Sequence, residues 1–131
     1  MTTLSDGVAT ITLNTDGLMW ADEFAWNPVE QSTQRTITGA LIVQTAARVA
    51  GRPITLAAED ESSGWITRAA LDQCRAWASV PGKQLVLTYR GTARDVIWRH
   101  EDTAIDAAPV AAFNDVQSGD YYRATLRFME I

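Results

Sequence analysis

The alternation of apolar and polar residues predicts a chain built mainly of β-strands. Residues 8–13 (VATITL) place Ala9, Ile11 and Leu13 on one face, with a β-branched residue at most of the positions between them. This two-residue period is typical of a half-buried strand. It recurs at residues 54–57, 84–90, 95–99 and in the closing segment 121–131. Residues 105–110 also read as a strand, at a sheet edge, because Pro109 cannot donate to a central ladder.

Two segments in the first half give a less regular pattern. Residues 18–26 are predicted as a strand, and Asn27–Pro28 begins a loop that runs to about residue 33. Residues 34–49 form the longest strand candidate, interrupted by Gly39, which marks a bulge or a close approach. Its proposed apolar face consists of Ile37, Leu41 and Val43. A helix from Gly39 onward is the alternative, because Ala and Leu favour helices.

Residues 65–80 (WITRAALDQCRAWASV) give the clearest helical pattern. Apolar residues recur there at helical spacing, and they are Ile66, Ala70, Cys74 and Trp77. Ser62 or Ser63 is the predicted N-cap. Pro81–Gly82 ends the helix.

The order of strands, one helix and more strands predicts an α+β fold that is mainly antiparallel β. The 131 residues suffice for one domain with a real core, so residues 1–131 are predicted to form a single domain. A β-sandwich or barrel with one flanking helix at about residues 65–80 is the expected architecture. Hydrophobic residues make up 47% of the chain, which is ordinary for a globular domain.

Neither a membrane location nor an oxidising one is predicted. No apolar run approaches the ~20 residues needed to span a bilayer, and the start MTTLSDGVATITLN lacks the features of a signal peptide. Cys74 is the single cysteine, so the chain has no internal disulfide and no cysteine metal cluster. Synthesis in a reducing cytoplasm is expected.

The charge balance bears on nucleic acid. The net charge is −5, from 11 basic and 16 acidic residues, which disfavours a protein that grips nucleic acid. An acidic surface would instead let nucleic acid pass without binding, because it repels phosphate. The run Glu59-Asp60-Glu61 is predicted to be a solvated loop.

The polar stretch YRGTARDVIWRHED, residues 89–102, contains the chain's only histidine. On a strand, Asp95 and Arg99 would point away from His100, so no catalytic geometry is predicted. The chain has neither a GxSxG nor a GxGxxG motif, and Cys74 lies on the apolar side of the predicted helix. We therefore predict no enzyme, no cofactor and no metal site.

The five tryptophans divide into two groups. Trp65, Trp77 and Trp98 are predicted to lie in or beside the core. Trp20 and Trp26 flank a loop, and burial in the core and an interface role remain open for both. A sugar-stacking platform is the less favoured alternative.

Several segments resemble small tail proteins of tailed bacteriophages, especially distal-tail and baseplate components with a tail-tube-like fold. The resemblance covers roughly residues 34–131 and rests on GRPITLAAED, WITRAALDQCRAWA, QLVLTYRGTARDVIWRHED, IDAAPV and YYRATLRFMEI. It implies a tail-tube-like β-sandwich or barrel and a hexameric ring around a DNA channel. The implied partners are further copies of the chain and the tail-tube, tape-measure and hub proteins, and the implied location is the virion tail.

Three function classes follow. The first is the structural ring protein, whose subunit contact is predicted to come from a hairpin of residues 18–26 with residues 34–49. The candidate interface residues are Trp20, Trp26, Ile37, Leu41 and Val43. The alternative is a small β-sandwich module that binds a ligand or carbohydrate through its tryptophans. The third class is a hydrolase that uses His100 with Glu101 or Asp102.

Overall fold

The computed structural model describes residues 2–13, 18–58, 65–111 and 115–131. Within these residues the chain is mainly antiparallel β with one α-helix, as predicted. The strands are β1 Thr3–Ser5, β2 Thr10–Thr12, β3 Leu18–Trp20, β4 Val29–Arg35, β5 Leu41–Ala47, β6 Pro53–Ala58, β7 Trp65–Thr67, β8 Gln84–Tyr89, β9 Thr92–Trp98, β10 Ile105–Pro109 and β11 Tyr121–Glu130. The helix α1 spans Arg68–Ala78, and a 3₁₀ turn spans His100–Asp102.

The closing strand β11 organises the main sheet, which contains nine of the described strands. Along one edge β11 pairs with β10 and then β9, and along the other with β7 and then β6. The sheet continues from β9 through β8 and β1 to β2, and from β6 to β3. Every pair is antiparallel. The remaining two strands, β4 and β5, pair only with each other.

The core lies on the side of this sheet that α1 covers. The strand faces predicted from alternation are buried there, and they comprise Leu85, Leu87 and Tyr89 on β8, Val96 and Trp98 on β9, and Tyr122, Ala124, Leu126 and Phe128 on β11. The rings of Trp98 and Phe128 stack with centroids 4.5 Å apart. The prediction that these faces of the three strands point to the interior is therefore confirmed.

The sheet curls until its β3 end approaches β8. The hydroxyl of Tyr89 accepts a hydrogen bond from the backbone N–H of Trp20 at 3.3 Å. The two rings also meet edge to face, with centroids 6.2 Å apart. This contact brings Trp20, Leu18 and the β8 side chains into one core cluster.

The helix begins later than predicted. Residues Trp65–Thr67 are strand β7, because they pair with Tyr121–Arg123 of β11. The N-cap is Thr67, whose side chain accepts from the backbone N–H of Ala70 at 3.3 Å. Ser62 and Ser63 lie outside the described residues. Ala70, Cys74 and Trp77 are buried on α1 as predicted, whereas Ile66 is buried from β7.

The prediction for residues 18–26 is wrong beyond Trp20. Residues 21–25 form a turn, and the carboxylate of Asp22 accepts hydrogen bonds from the backbone N–H and the hydroxyl of Thr55, both at 2.9 Å. Because a carboxylate in the middle of the segment finds its partners on β6, the chain turns there. β3 pairs with β6, and not with residues 34–49.

The long strand predicted at residues 34–49 is divided. Its first part belongs to β4, which begins at Val29 inside the predicted loop, and its second part is β5. The hairpin thus joins β4 to β5, and the predicted pairing of residues 18–26 with residues 34–49 is wrong.

Three smaller features belong to the second half. The β8–β9 turn is Arg90–Gly91. Both residues have positive φ, 51° and 78°, as a two-residue type I′ hairpin turn requires. His100 lies on the 3₁₀ turn and not on β9, so its predicted strand orientation is wrong. β10 pairs only with β11 among the described residues, which confirms the edge strand.

Candidate subunit interface

A hairpin projects from the folded body, and we call residues 29–47 the arm. Every arm residue except Thr36 is exposed, and none belongs to the hydrophobic core. Its strands make no ladder with the main sheet. A two-stranded hairpin is at best marginally stable alone in water, so cover from another surface would stabilise this element.

The end of the arm is a three-residue loop. The backbone N–H of Thr36 donates to the carbonyl of Ala40 at 2.9 Å, which closes the loop formed by Ile37, Thr38 and Gly39. Gly39 has φ +87°, the left-handed conformation that the third residue of such a loop needs. Ile37 is fully exposed at the tip.

The two faces of the arm differ. Because cross-strand partners share a face, Val29, Ala47, Leu41 and Val43 lie on one side of the arm, and we call these four residues the apolar face. The same side also carries the polar partners Gln31, Thr33, Arg35 and Thr45. The opposite face is mainly polar and carries Glu30, whose carboxylate lies 2.6 Å from the guanidinium of Arg48. Val29, Leu41 and Val43 are 40–49% exposed, so the apolar side chains face solvent.

Charge is scarce along the arm. Glu30 and Arg35 are the only ionisable residues in its 19 positions, and the rest are small, apolar or uncharged polar residues. Depletion of charge is typical of the centre of a protein–protein interface, whereas a free surface normally carries more. The composition of the arm therefore favours contact with protein.

Arg52 packs against two tryptophans where the arm joins the body, and we call this junction the root. The guanidinium carbon of Arg52 lies 4.4 Å from the ring centroid of Trp20 and 5.6 Å from that of Trp26. Its Nη2 donates to the carbonyl of Glu23 at 2.9 Å. Arg94 approaches the ring of Trp20 as well, at 4.9 Å. These contacts tie the chain entering the arm to the chain leaving it.

Backbone hydrogen bonds anchor the returning chain to the main sheet. The N–H of Gly51 donates to the carbonyl of Glu130 at 2.9 Å, and the N–H of Glu130 donates to the carbonyl of Arg52 at 2.8 Å. The arm therefore leaves the body next to the end of β11, from a root whose backbone is fixed.

The structure separates the five candidate interface residues. Trp20 is 6% exposed and lies in the core, so its side chain offers almost no surface to a partner. Trp26 is half-buried at the root. Ile37, Leu41 and Val43 are exposed on the arm, Ile37 at the loop and the other two on the apolar face.

Sequence reasoning missed β4 and the role of Arg52. Residues VEQSTQR of β4 have no apolar alternation, because neither face contacts the core. The available signal was the TITGA segment, in which a glycine follows β-branched residues at the spacing of a three-residue hairpin loop.

The groups considered for chemistry do not converge. His100 is exposed on the 3₁₀ turn, and the Asp102 carboxylate beside it lies 3.2 Å from Arg99. Burial raises the pKa of the Cys74 thiol to about 12, which leaves it protonated and unreactive. Among the described residues, no group of three His, Cys, Asp or Glu side chains is placed to hold a metal ion.

Comparison with known proteins gives no match to any protein-family model, curated protein or solved structure. In the part of the chain that the structure describes, no helix is long and apolar enough to cross a membrane.

Proposed function

We propose that this protein is a structural component of a bacteriophage tail that forms a ring, by resemblance hexameric, at the distal tail or baseplate around the DNA path. The observation that carries the proposal is the arm, an exposed and nearly uncharged hairpin with an apolar face. Residues 34–47 of the arm lie inside the part of the chain that resembles tail proteins, and the fold we propose is the tail-tube-like one.

The contrast between body and arm supports assembly. The body has its own core of strand and helix side chains. The arm contributes nothing to that core, and its apolar face is left in water. A hairpin retained under these conditions is explained if each copy of the protein covers the arm of another copy.

A ring can form if the arm binds a surface other than the arm itself. Such a contact is heterologous, because the two partners use different patches, and it produces a ring when the rotation between successive copies closes. The net charge of −5 is suited to a wall past which DNA moves without sticking. Glu59, Asp60 and Glu61 lie outside the described residues, and we assign no channel-lining residues.

The alternative of a ligand- or carbohydrate-binding module lacks a supporting feature. Trp20 is buried, and Arg52 lies over Trp26, so the two rings form no open platform on the described surface. Sugar stacking requires an exposed aromatic face.

The test is negative-stain electron microscopy of the purified protein at high concentration, and of the assembled particle. Closed rings with a central hole are expected, located on the tail axis in the particle. Compact monomers away from that axis would overturn the proposal.

Two valine variants make the imaging test specific for the arm. Val43→Asp puts a charge on the apolar face, whereas Val86→Asp puts the same charge on an exposed position of β8 in the body. Rings should disappear in the first variant and persist in the second. Persistence of rings in both variants would contradict an arm-mediated contact.

A further inference from the structure

We propose that the outer edge of β5 in one copy adds as an antiparallel strand to the free edge of β10 in a second copy, with Leu41 and Val43 entering a cleft beneath α1. This rests on the proposed function only in taking a second copy as the partner. It names which strand is donated, which edge receives it and in which orientation.

Backbone groups of alternate residues in the arm point across the hairpin or outward, and the hydrogen bonds show which residues point outward. The N–H of Thr36 bonds the carbonyl of Ala40, and the N–H of Arg48 bonds the carbonyl of Pro28. With the observed register, the even-numbered residues of β4 and β5 therefore bond to each other. The N–H and C=O groups of the odd-numbered residues of β5 point outward, and these are Leu41, Val43, Thr45 and Ala47.

This outer edge of β5 has no protection. Exposed edges in monomeric proteins usually carry a charge, a proline or a bulge that prevents pairing with another chain. β5 is LIVQTAA and has no charged residue and no proline. The outer edge of β4 differs, because Arg35 is among its outward-pointing residues.

Hydrogen bonds likewise identify the outward-pointing residues at the free edge of β10. The N–H of Arg127 bonds the carbonyl of Ala104, and the N–H of Val110 bonds the carbonyl of Tyr121. The outward-pointing residues of β10 are therefore Ile105, Ala107 and Pro109, the last of which offers only its carbonyl. With five residues, β10 is longer than the other described edge strands β2, β3 and β7, which have three each.

A cleft of about 270 Å³ adjoins this edge. It is lined by Arg68, Leu71, Arg75, Ile105, Ala107 and Tyr122. The cleft therefore lies between α1 and β10. One more strand beside β10 would continue the sheet under the helix and fill the cleft with side chains.

In antiparallel addition, the outward-pointing residues of β5 and β10 would place their side chains on the same face of the sheet. In an antiparallel ladder, residues that exchange backbone hydrogen bonds lie opposite each other and share a face. The outward-pointing residues Ile105 and Ala107 line the cleft, so their partners on the added strand also face the cleft. On β5 those partners are the residues of the apolar face. Parallel addition would direct these side chains to the opposite face of the sheet.

Charge favours β5 over β4 as the donated strand. Arg68 is held by the Asp72 carboxylate at 3.0 Å and by the Tyr122 hydroxyl at 3.1 Å, whereas Arg75 is 62% exposed and 4.0 Å from Asp72. If β4 were the donated strand, Arg35 would bring a third guanidinium to the edge of the cleft, beside Arg68 and Arg75. Donation of β5 keeps Arg35, the cross-strand partner of Leu41, one strand further from the cleft, and it offers the β5 carbonyls to Arg75.

Disulfide trapping between differently labelled copies tests the pairing. Ala107→Cys protein is mixed with Val43→Cys, Thr45→Cys or Gln44→Cys protein under mild oxidation. Opposite residues in a hydrogen-bonded antiparallel pair have Cα atoms about 5.5 Å apart, which suits a disulfide. Cys74 can remain, since it is fully buried. Ala107→Cys protein is expected to form disulfide-linked mixed dimers with Val43→Cys protein, with Thr45→Cys protein or with both. Gln44→Cys protein should form none, because its side chain lies on the opposite face.

An acceptor control uses the other side of the sheet. Thr12→Cys places a thiol on the exposed strand β2. Cross-linking of the arm to Thr12→Cys at the same yield as to Ala107→Cys, or absence of any cross-link at high concentration, would overturn the proposed site.

Proline substitutions test the hydrogen bonds themselves. Thr45→Pro and Ala107→Pro each remove an outward-pointing N–H and should leave the melting temperature nearly unchanged while association, measured by sedimentation velocity, falls at least tenfold. Ala108→Pro removes an N–H that faces β11 and should lower the melting temperature instead. Unchanged association of both outward variants would contradict the inference.

The outcomes separate this inference from the ring proposal. Rings that persist in Thr45→Pro and Ala107→Pro proteins would leave the ring proposal standing and overturn the β5–β10 contact. Trapped pairs that form only a reciprocal two-copy dimer, with no ring, would support the contact and contradict the ring.

Discussion

At the scale of single residues, Asp6 joins three parts of the body. Its Oδ1 accepts hydrogen bonds from the backbone N–H groups of Ala9 and Val8 at 2.8 and 2.9 Å. Its Oδ2 accepts from the indole N–H of Trp77 at 3.1 Å and lies 3.5 Å from the ammonium of Lys83. The hydrogen bond from Ala9 foremost, then the one from Val8 and the charge of Lys83, lower the pKa of Asp6 from 3.8 to about 2.

This pKa predicts a dependence of stability on acid. Because the folded chain holds the carboxylate ionised to lower pH than the unfolded chain does, the unfolded chain takes up more protons as pH falls. The contribution of Asp6 is complete above 3.8 and is lost as the pH falls to about 2. Urea unfolding of wild type and Asp6→Asn at about pH 5 and about pH 2 should therefore show a smaller acid effect in the variant. Equal acid effects in the two proteins would show that Asp6 is not responsible.

Trp77 is a second residue whose removal has a defined cost. It is 5% exposed on α1 and donates to Asp6. Trp77→Ala should lower the free energy of unfolding by about 3–5 kcal/mol, the range for deleting a large buried aromatic side chain. Arg75→Ala on the exposed side of the same helix is the control and should change it by about 0.5 kcal/mol or less. A denaturant titration that shows no difference between them would contradict the packing of this helix.

At the scale of elements, the arm should be separable from the body. Pro28 and Arg48 already form a hydrogen-bonded pair at 2.9 Å, so an Asn-Gly turn can replace residues 29–47 and close the shortened hairpin. Since no arm residue belongs to the core, the shortened protein should keep the wild-type melting temperature and lose self-association. Circular dichroism and sedimentation velocity measure the two properties. A shortened protein that does not fold would show that the arm stabilises the body.

The sequence predicts the elements that pack against the core better than those that do not. β8, β9 and β11 alternate because one face packs inward, and the spacing of Ala70, Cys74 and Trp77 has the same cause on α1. The arm has no such constraint, so its strand ends and its pairing were predicted wrongly. Within residues 65–67 helical spacing competes with strand pairing to β11, and no local signal reveals that long-range partner.

The exposure of the candidate interface residues was predicted in part, for a related reason. Leu41 and Val43 follow the strand period and lie on the exposed apolar face. Trp20 and Trp26 resemble interface anchors in composition, yet Arg52 binds both rings from a position 26 residues beyond Trp26 in the chain. A cation–π contact between residues so distant in sequence leaves no periodic pattern.

At the scale of the whole molecule, the assembly that we propose would have to overcome the repulsion of equal charges. Each copy carries a net charge of −5, while the arm itself carries one positive and one negative residue. The contact that we infer consists of backbone hydrogen bonds and apolar side chains, which salt screens little. The repulsion between the bodies acts over distances comparable to the Debye length, about 10 Å at 0.1 M salt, and is screened.

Salt should therefore strengthen self-association of this protein. Raising sodium chloride from about 0.05 to about 0.5 M should shift the sedimentation distribution toward the assembled form, because screening weakens the repulsion and leaves the attraction intact. Val43→Asp is the control, and it should remain unassembled at both salt concentrations. Dissociation of the wild-type assembly at the higher salt concentration would show that ion pairs, such as contacts to Arg68 and Arg75, hold the subunits together in place of the uncharged β5 edge.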